Sequence, residues 1–542
     1  SFPRGGQVDA LAREPDLPRG VSGENNAKYI RGSSANEGQG INQLRRRTSP
    51  FGTIVNSSPF YVAENETIFV GANDGMLHAV NATNGEVRFS YVPRGLDFSR
   101  LAELSSQDYQ HTFFVDGGID VTSRVSSGSA NRNVLVGTLG RGGKGVFGLD
   151  VTNPDAGAAS QIVKWDLTFQ DGGANSDNDT GYILGAPLVR RGNNGELLAI
   201  YGNGIDSVNG NAVLYIRNAL SGDLYRKITV DTSGGNGLSE VRAADLDGNG
   251  TADVLYAGDL KGNVWKFDIS GSSPGTQWKA AGNSGGAVQP LFVARDPSGD
   301  RQPITASVAL AREPRLTGDG RVFVLFGTGS YITNSDLANT QVQTIYAVVD
   351  DQLPNRTSDL GRSDLQRREI KAAGVDSLGR PARSWESYSE LADDKLGWYV
   401  DLGYPVAGER VVTAPTVRGR ALWFSSIIPE LGDGCDVGGR GYLNAVDVFT
   451  GTNPGRADGS SYSFIDINQD GEGDDYLAGS GPDGGDGLVT SVDVGIGMPS
   501  QPTFVGDDAY VGGSGAELER LQGLPVGRQP HRLRWHERVD RE

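Results

Sequence analysis

The chain of 542 residues has one cysteine, two methionines and four histidines. Cys435 has no second cysteine to pair with, so it reads as a free thiol, and an internal disulfide or a cysteine-built zinc or iron–sulfur centre is excluded. His78, His111, His531 and His536 stand too far apart to form a recognisable metal or catalytic motif, and no GxSxG, HExxH or phosphate-loop pattern occurs. No stretch approaches the run of about 18 apolar residues that a membrane helix needs. The opening, SFPRGGQVDALAREP, lacks the charged and apolar regions of a signal peptide, which leaves a cytosolic chain or a processed piece of an exported one. Positive charge is also short. With 49 Lys and Arg against 67 Asp and Glu, the net charge of −18 repels phosphate backbones and anionic headgroups, so nucleic-acid binding is not expected.

Glycine is what the chain has in abundance. Its 79 glycines, set among β-branched and aromatic residues, imply many tight turns and an all-β plan. Residues 1–50, rich in Gly, Asn, Arg and Ser, read as an extended arm, 51–525 as the main domain and 526–542 as a tail. From Phe51 onward the runs TIFVGAND, NVLVGTLG, LLAIYGNG, DVLYAGDL, VFVLFGTG, ALWFSSII and AYVGGSG recur, each a strand pattern closed by a glycine turn. A second strand follows several of them, as in Leu77–Asn81, Val146–Asp150, Val264–Asp268, Ile345–Val349 and Leu443–Asp447. VGANDGMLHAVN (70–81) aligns without a gap on AGDLKGNVWKFD (257–268), glycines and final Asx in step.

Units of this kind bury a face only against their neighbours, so the reading is a seven-bladed β-propeller with long insertions at about 351–407 and 452–500. A pair of β-sandwiches is the alternative. Helical pattern is strongest near 357–374, where Leu360, Leu365 and Ile370 could share a face. Trp165, Trp265 and Trp398 read as packing residues, as does His78 within its blade.

The sharpest local signal is the loop 245–253, with Asp245, Asp247, Asn249 and Asp253 at positions 1, 3, 5 and 9 and Thr251 at position 7 offering a backbone carbonyl. Calcium takes six to eight oxygen ligands, and a loop wrapping it needs glycines at its sharp bends, here Gly248 and Gly250. Tyr256 stands where an EF-hand has its bidentate glutamate, so Asp253 must close the shell. The competing reading is a solvated acidic turn. A second run, Asp466, Asn468, Asp470, Glu472 and Asp474 with Gly471 at the bend, has the same layout and is a candidate second site. Asp475, Asp483 and Asp486 nearby keep a disordered acidic loop in contention. Asp171, Asn175, Asp177 and Asp179 lack glycines in register and read as a solvated loop.

Several stretches together resemble the C-terminal domain of the PilY-type proteins of type IV pilus biogenesis. They are FGTIVNSSPFYV (51–62), GRGGKGVFGLDVTNPD (140–155), YGNGIDSVNGNAVLYI (201–216), NGLSEVRAADLDGNGTADVLYAGDLKGNVWKFD (236–268), LFGTGSYI (325–332) and GERVVTAPTVRGRALWFSSIIPE (408–430), in the family's order. The resemblance spans about residues 41–520. It implies a modified seven-bladed, quinoprotein-like propeller and a calcium loop at Asp245, Asp247, Asn249, Thr251 and Asp253, with Asn249 where members often have Asp.

The resemblance further implies a non-enzymatic module with Ca2+ as its ion, whose occupancy influences pilus extension against retraction, and which serves twitching motility and adhesion. Its expected partners are minor and major pilins and host or abiotic surfaces. The expected location is exported: periplasm or outer membrane, pilus tip or cell surface. Full-length members carry a larger N-terminal region, often with a von Willebrand A-like domain, so the chain looks like the C-terminal portion of a longer protein. No RGD motif is present.

Two rivals remain: an unrelated surface-binding propeller, and a quinone-dependent dehydrogenase, whose repeat DGMLHAVNATNGEVRFSY (74–91) is similar to. Many such enzymes set an adjacent cysteine pair by the quinone, which a chain with Cys435 alone cannot supply.

Overall fold

The computed structural model describes residues 2–13, 21–38, 43–123, 125–127, 130–173, 175–284, 287–312, 321–352, 359–430, 438–480, 487–515 and 517–524. Cys435, His531, His536, Asp483, Asp486 and the tail 526–542 lie outside them. The chain divides into two compact units, Ser1–Glu240 with Ser270–Trp278, and Val241–Ile269 with Lys279–Glu542.

The first unit contains three four-stranded antiparallel sheets. The first is built from Phe60–Val62, Thr67–Ala72, Met76–Asn81 and Val87–Tyr91. The second uses Ile119–Val121, Val134–Thr138, Val146–Asp150 and Val163–Asp166, and the third Leu188–Arg191, Leu197–Gly202, Ala212–Asn218 and Leu224–Asp231.

The second unit contains four sheets of four to six strands among its described residues. The fourth sheet runs Arg242–Ala244, Val254–Gly258, Asn263–Asp268 and Lys279–Ala280, with Phe292–Val293 pairing beside Lys279–Ala280 on Asn263–Asp268. The fifth centres on Val322–Gly327, Thr344–Asp350 and Gly397–Asp401. The sixth centres on Ala421–Ile428, Arg440–Asp447 and Val489–Val492. The seventh orders Ile465–Asp466, Leu518–Gly523, Asp508–Gly512 and Thr503–Val505. Each of the seven glycine-closed runs lies in a different one of these seven sheets.

Most of these strands are buried on both faces, so their runs are largely apolar although successive side chains point to opposite sides, whereas Asp508–Gly512 of the seventh alternates buried with half-buried residues. In the second sheet Leu135 packs toward Phe69 and Leu77 of the first, while Val134 and Val136 pack with Val189, Ala199 and Tyr201 of the third. In the fifth, Val322, Val324 and Phe326 meet Val254 and Tyr256 of the fourth, while Phe323 and Leu325 meet Leu422 and Phe424 of the sixth. Trp423 of the sixth turns the other way, to Ala509, Val511 and Leu521 of the seventh. The aligned repeats keep one register: Gly71 pairs with Leu77, and Gly258 with Val264. Trp165, Trp265 and Trp398 are buried in these layers, as expected.

Three expectations are corrected. The described residues of 1–50 are not an extended arm: they form the helices Gly5–Ala10 and Gly23–Ile30, and Leu11, Ala27, Tyr29, Ile30 and Leu44 join the core of the first sheet. Asn26 fixes this packing by donating to the carbonyls of Leu11 and Ala102, both at 2.9 Å.

The described part of 357–374 is not an α-helix. Leu360 bridges Phe292, Gln366–Arg368 pairs in parallel with Gly397–Asp401, and Ile370–Val375 is a strand, because open sheet edges supply backbone partners that outweigh local propensity. Nor do the two long insertions lie outside the sheets. Pro381–Trp385 pairs with Val489–Val492 inside the sixth sheet, and Ile465–Asp466 belongs to the seventh.

Candidate metal site

The loop between Arg242–Ala244 and Val254–Gly258 turns on Gly248 (φ 78°) and Gly250 (φ 86°), left-handed bends that glycine enters at little cost. Between them the chain folds into a set of side-chain-to-backbone turns. Asp245 accepts from the amides of Gly248 (2.7 Å) and Gly250 (2.9 Å), and Asp247 from that of Asn249 (3.0 Å). Asn249 accepts from the amide of Thr251 at 2.7 Å, and Asp253 reaches back to the amide of Leu246 at 2.7 Å. These bonds gather Asp245, Asp247 and Asp253, one oxygen from each lying within 4.8 Å of the others. Among the described residues no other triple of acidic, His or Cys side chains comes so close.

The electrostatics suit a cation. Asp253 is buried and Asp247 exposed, so the group is open on one side only. Burial pushes the Asp245 carboxyl above its usual range, and the negative charge of Asp253 adds to the rise against the two glycine amides. Three carboxylates gathered in one loop fit a hard divalent ion, and Asn249 and the Thr251 carbonyl lie in the same loop. Tyr256 does not turn to the loop: its hydroxyl donates to Asp350 at 2.6 Å within the core.

In the second candidate loop the placement differs from the expectation at one residue. Asp466 is buried and accepts from the Gly471 amide at 2.9 Å. Asn468, Asp470 and Glu472 are exposed. The carboxylate that closes the loop is Asp475, buried and accepting from the Ile467 amide at 2.8 Å, whereas Asp474 is exposed. Burial, with the charges of Asp466 and Asp470, pushes the Asp475 carboxyl up to about 6. One signal in the sequence marks it: Asp253 directly precedes an apolar run, and so does Asp475, followed by Tyr476 and Leu477, but not Asp474.

The cluster near 171–179 is not simply solvated. Asp171 pairs with Lys144 at 2.8 Å, and Lys227 reaches Asp177 at 3.1 Å and Asp179 at 2.7 Å. A cation already sits among these carboxylates, so they are not a metal site.

His78 packs inside its sheet, as expected, but it also links Ser90 (2.8 Å to Nδ1) and Asp74 (2.9 Å to Nε2). The aligned residue of the fourth sheet is Trp265, whose indole donates to Asp259 at 2.8 Å. An indole cannot shuttle a proton, so in both sheets the ring nitrogen serves to lock the turn's aspartate.

A family model described as the PilY1 beta-propeller domain matches residues 33–375. The chain is 34% identical over 546 residues to a type IV pilus biogenesis factor PilY1 homolog of Xylella fastidiosa, covering 90% of this chain and 35% of that protein. It is 32% identical over 527 residues to the type IV pilus biogenesis factor PilY1 of Pseudomonas aeruginosa strain PAK, covering 86% of this chain and 43% of that one. The chain thus spans less than half the length of these relatives. Among solved structures it is similar to the Pseudomonas aeruginosa PilY1 C-terminal domain, with a TM-score of 0.65 at 29% identity, covering 85% of this chain and 92% of the other. The all-β sheets described above are those of a β-propeller.

Proposed function

The chain belongs to the PilY1 beta-propeller family, and from that premise we propose that it is the calcium-binding, non-enzymatic propeller of a type IV pilus biogenesis factor. The observation that carries the calcium part is the convergence of Asp245, Asp247 and Asp253 within 4.8 Å. These three hold the ion through their carboxylate oxygens, with the Asn249 amide oxygen and the Thr251 carbonyl as further ligands. Bound calcium supplies positive charge that offsets their mutual repulsion and ties the two strands flanking the loop together. Gly248 and Gly250 keep the loop wrapped, and Asp253 anchors it through the Leu246 amide.

On this reading the propeller acts outside the cytoplasm, at the envelope, pilus tip or cell surface. It works with minor and major pilins in assembly, in the balance of extension and retraction that drives twitching, and in attachment to surfaces. Relatives carrying the name of pilus biogenesis factors support the pilus part of the reading. No helix among the described residues is long and apolar enough to cross a membrane.

The test is replacement of the corresponding region of the Pseudomonas aeruginosa relative by this chain, in wild-type and Asp253→Ala forms. Surface pili and twitching are then measured. The wild-type chimera is expected to restore pili and the variant to shift the extension–retraction balance; equal behaviour of the two would remove the calcium switch from the function. Soaking the chain with quinone and calcium and finding alcohol oxidation at roughly 1 per second or faster would overturn the non-enzymatic reading.

A further inference from the structure

The loops 245–253 and 466–475 are built on one plan. Both have left-handed residues at positions 4 and 6: Gly248 and Gly250 in the first, Gln469 (φ 62°) and Gly471 (φ 85°) in the second. In both the amide of position 6 donates to the aspartate of position 1 at 2.9 Å. The amide of position 5 donates to position 3 at 3.0 Å in each. The amide of position 7 donates to position 5, at 2.7 and 2.8 Å. An asparagine amide bridges positions 3 and 5 in both, Asn249 to Asp247 at 2.9 Å and Asn468 to Asp470 at 2.8 Å. In both the amide of position 2 is taken by the closing aspartate, Asp253 or Asp475. The first loop offers three carboxylates and one amide; Asp466, Asp470, Asp475 and Asn468 are their counterparts in the second, which also carries Glu472 and Asp474 and is one residue longer before its closing acid.

One bond is missing from the second loop, and it marks a ligand position. In the first, Asp245 Oδ1 accepts from the Gly248 amide. In the second, the corresponding Asp466 Oδ1 is buried and has no hydrogen-bond partner, on a side chain only 1% exposed. An unpartnered carboxylate oxygen is costly to bury. Its other oxygen is held by the Gly471 amide and, at 3.2 Å, by Gln522, so the carboxylate sits at the heart of the loop. The acids of this loop are not drawn together as closely as Asp245, Asp247 and Asp253. Asp466 and Asp475 are buried while Asp470 is exposed, so Asp470 is the one with room to close.

We propose that the loop 466–475 is a second site for a hard divalent cation of the calcium type, held by Asp466, Asn468, Asp470 and Asp475 rather than Asp474, and that occupation fastens the seventh sheet. The mechanical link is direct. Asp466 is paired in the sheet with Gln522 of the strand Leu518–Gly523, and Gln522 also holds its carboxylate. At the other end the carbonyl of Asp475 accepts from the Val489 amide at 2.8 Å, joining the loop to a strand of the sixth sheet.

The test is calorimetric titration of the chelator-stripped chain with calcium chloride, coupled to hydrogen exchange of 503–523. The wild type is expected to bind two ions, Asp253→Asn one, Asp475→Asn one and Asp474→Asn two. Calcium should slow exchange of 503–523 at least tenfold in the wild type and in Asp253→Asn, and not in Asp475→Asn. Asp470→Asn, at an exposed position, checks the site without disturbing a buried residue; it should weaken the second ion tenfold or more while melting like the wild type in chelator. A wild type binding a single ion that Asp253→Asn abolishes would overturn the second site and leave the first standing. Loss of the second ion in Asp474→Asn, with retention in Asp475→Asn, would overturn the ligand assignment.

Discussion

Arg383 and Glu409 meet in a two-pronged ion pair, 2.6 and 2.9 Å long, with both side chains fully excluded from solvent. Arg383 also donates to Asn444 at 3.0 Å and lies 3.8 Å over the ring of Tyr442, and Ser426 donates to Glu409 at 2.6 Å. The pair locks the strand Pro381–Trp385 into the sixth sheet.

Breaking that pair from one side leaves a buried charge alone. Glu409→Gln is therefore expected to cost about 3–5 kcal/mol, and the joint replacement of Arg383 by Met and Glu409 by Leu considerably less, because no lone charge remains. Denaturant unfolding of the two variants checks this; equal losses would show that the pair's hydrogen bonds, not its charge balance, hold the strand.

The first loop gives a ligand-linked prediction. Calcium at a hundred times its dissociation constant is expected to stabilise the fold by about 2.7 kcal/mol through linkage, with Kd as weak as about 10⁻⁴–10⁻³ M if the loop binds as the weakest calcium modules do. Asp253→Ala and Asp247→Ala should each remove most of this loop's share of the shift, and magnesium should replace calcium poorly because it demands tight octahedral geometry. Thermal melts across a calcium titration decide it; an Asp253→Ala chain keeping the full shift would reduce the loop to an acidic turn.

What could be read from the sequence follows from where partners lie along the chain. Residues 322–326 announce a strand buried on both faces because all are apolar, and the first loop is legible because its five residues fall within nine positions. The place of Pro381–Trp385 is not, since its hairpin partner Ile370–Val375 lies close by but the strand that takes both into the sixth sheet, at Ser491 and its neighbours, is more than a hundred residues away. The helix Gly23–Ile30 carries few apolar residues and is stabilised by what lies across from it, Tyr29 donating to the Leu104 carbonyl and carrying Arg47 over its ring. At 474–475 two adjacent aspartates offer the same ligand, the nine-position spacing of the first loop selects Asp474, and only the weaker cue of the apolar residues that follow points to Asp475, the one the fold buries.

The carboxylates around Lys227 predict a pH dependence. Burial pushes Asp177 and Asp179 up, but this is outweighed: the Asp179 amide, Tyr215 and Lys227 hold Asp177 below the usual carboxylate range, and Lys227, Asn209 and Asn211 do so for Asp179. A lowered folded pKa contributes stability that is present above the unfolded value of about 3.9 and is lost as pH falls through the folded one. Lys227→Met should thus cost on the order of 1 kcal/mol at neutral pH after solvent screening, and this difference from wild type should shrink below about pH 4. Parallel melts from pH 7 to pH 3 test it; a difference constant over that range would mean that Lys227 acts by packing alone.

The shared plan of the two loops predicts a pair of substitutions of opposite sign at position 4. Gly248 has φ 78°, and a Cβ added there would meet nothing within 4 Å, so the cost of Gly248→Ala is conformational rather than steric. An L-residue held left-handed costs roughly 1–2 kcal/mol, less the 0.5–1 kcal/mol or so that alanine saves by restricting the unfolded chain, so a net loss of up to about 1.5 kcal/mol is expected. Gln469 already bears that cost at φ 62°. Gln469→Gly should relieve it and leave the chain as stable as wild type or up to about 1.5 kcal/mol more so, although glycine in an ordinary loop position destabilises. Unfolding in chelator isolates the backbone effect from ion binding. A Gln469→Gly chain less stable than wild type under those conditions would show that position 469 is not held in the conformation of Gly248, and the equivalence of the two loops would fail with it.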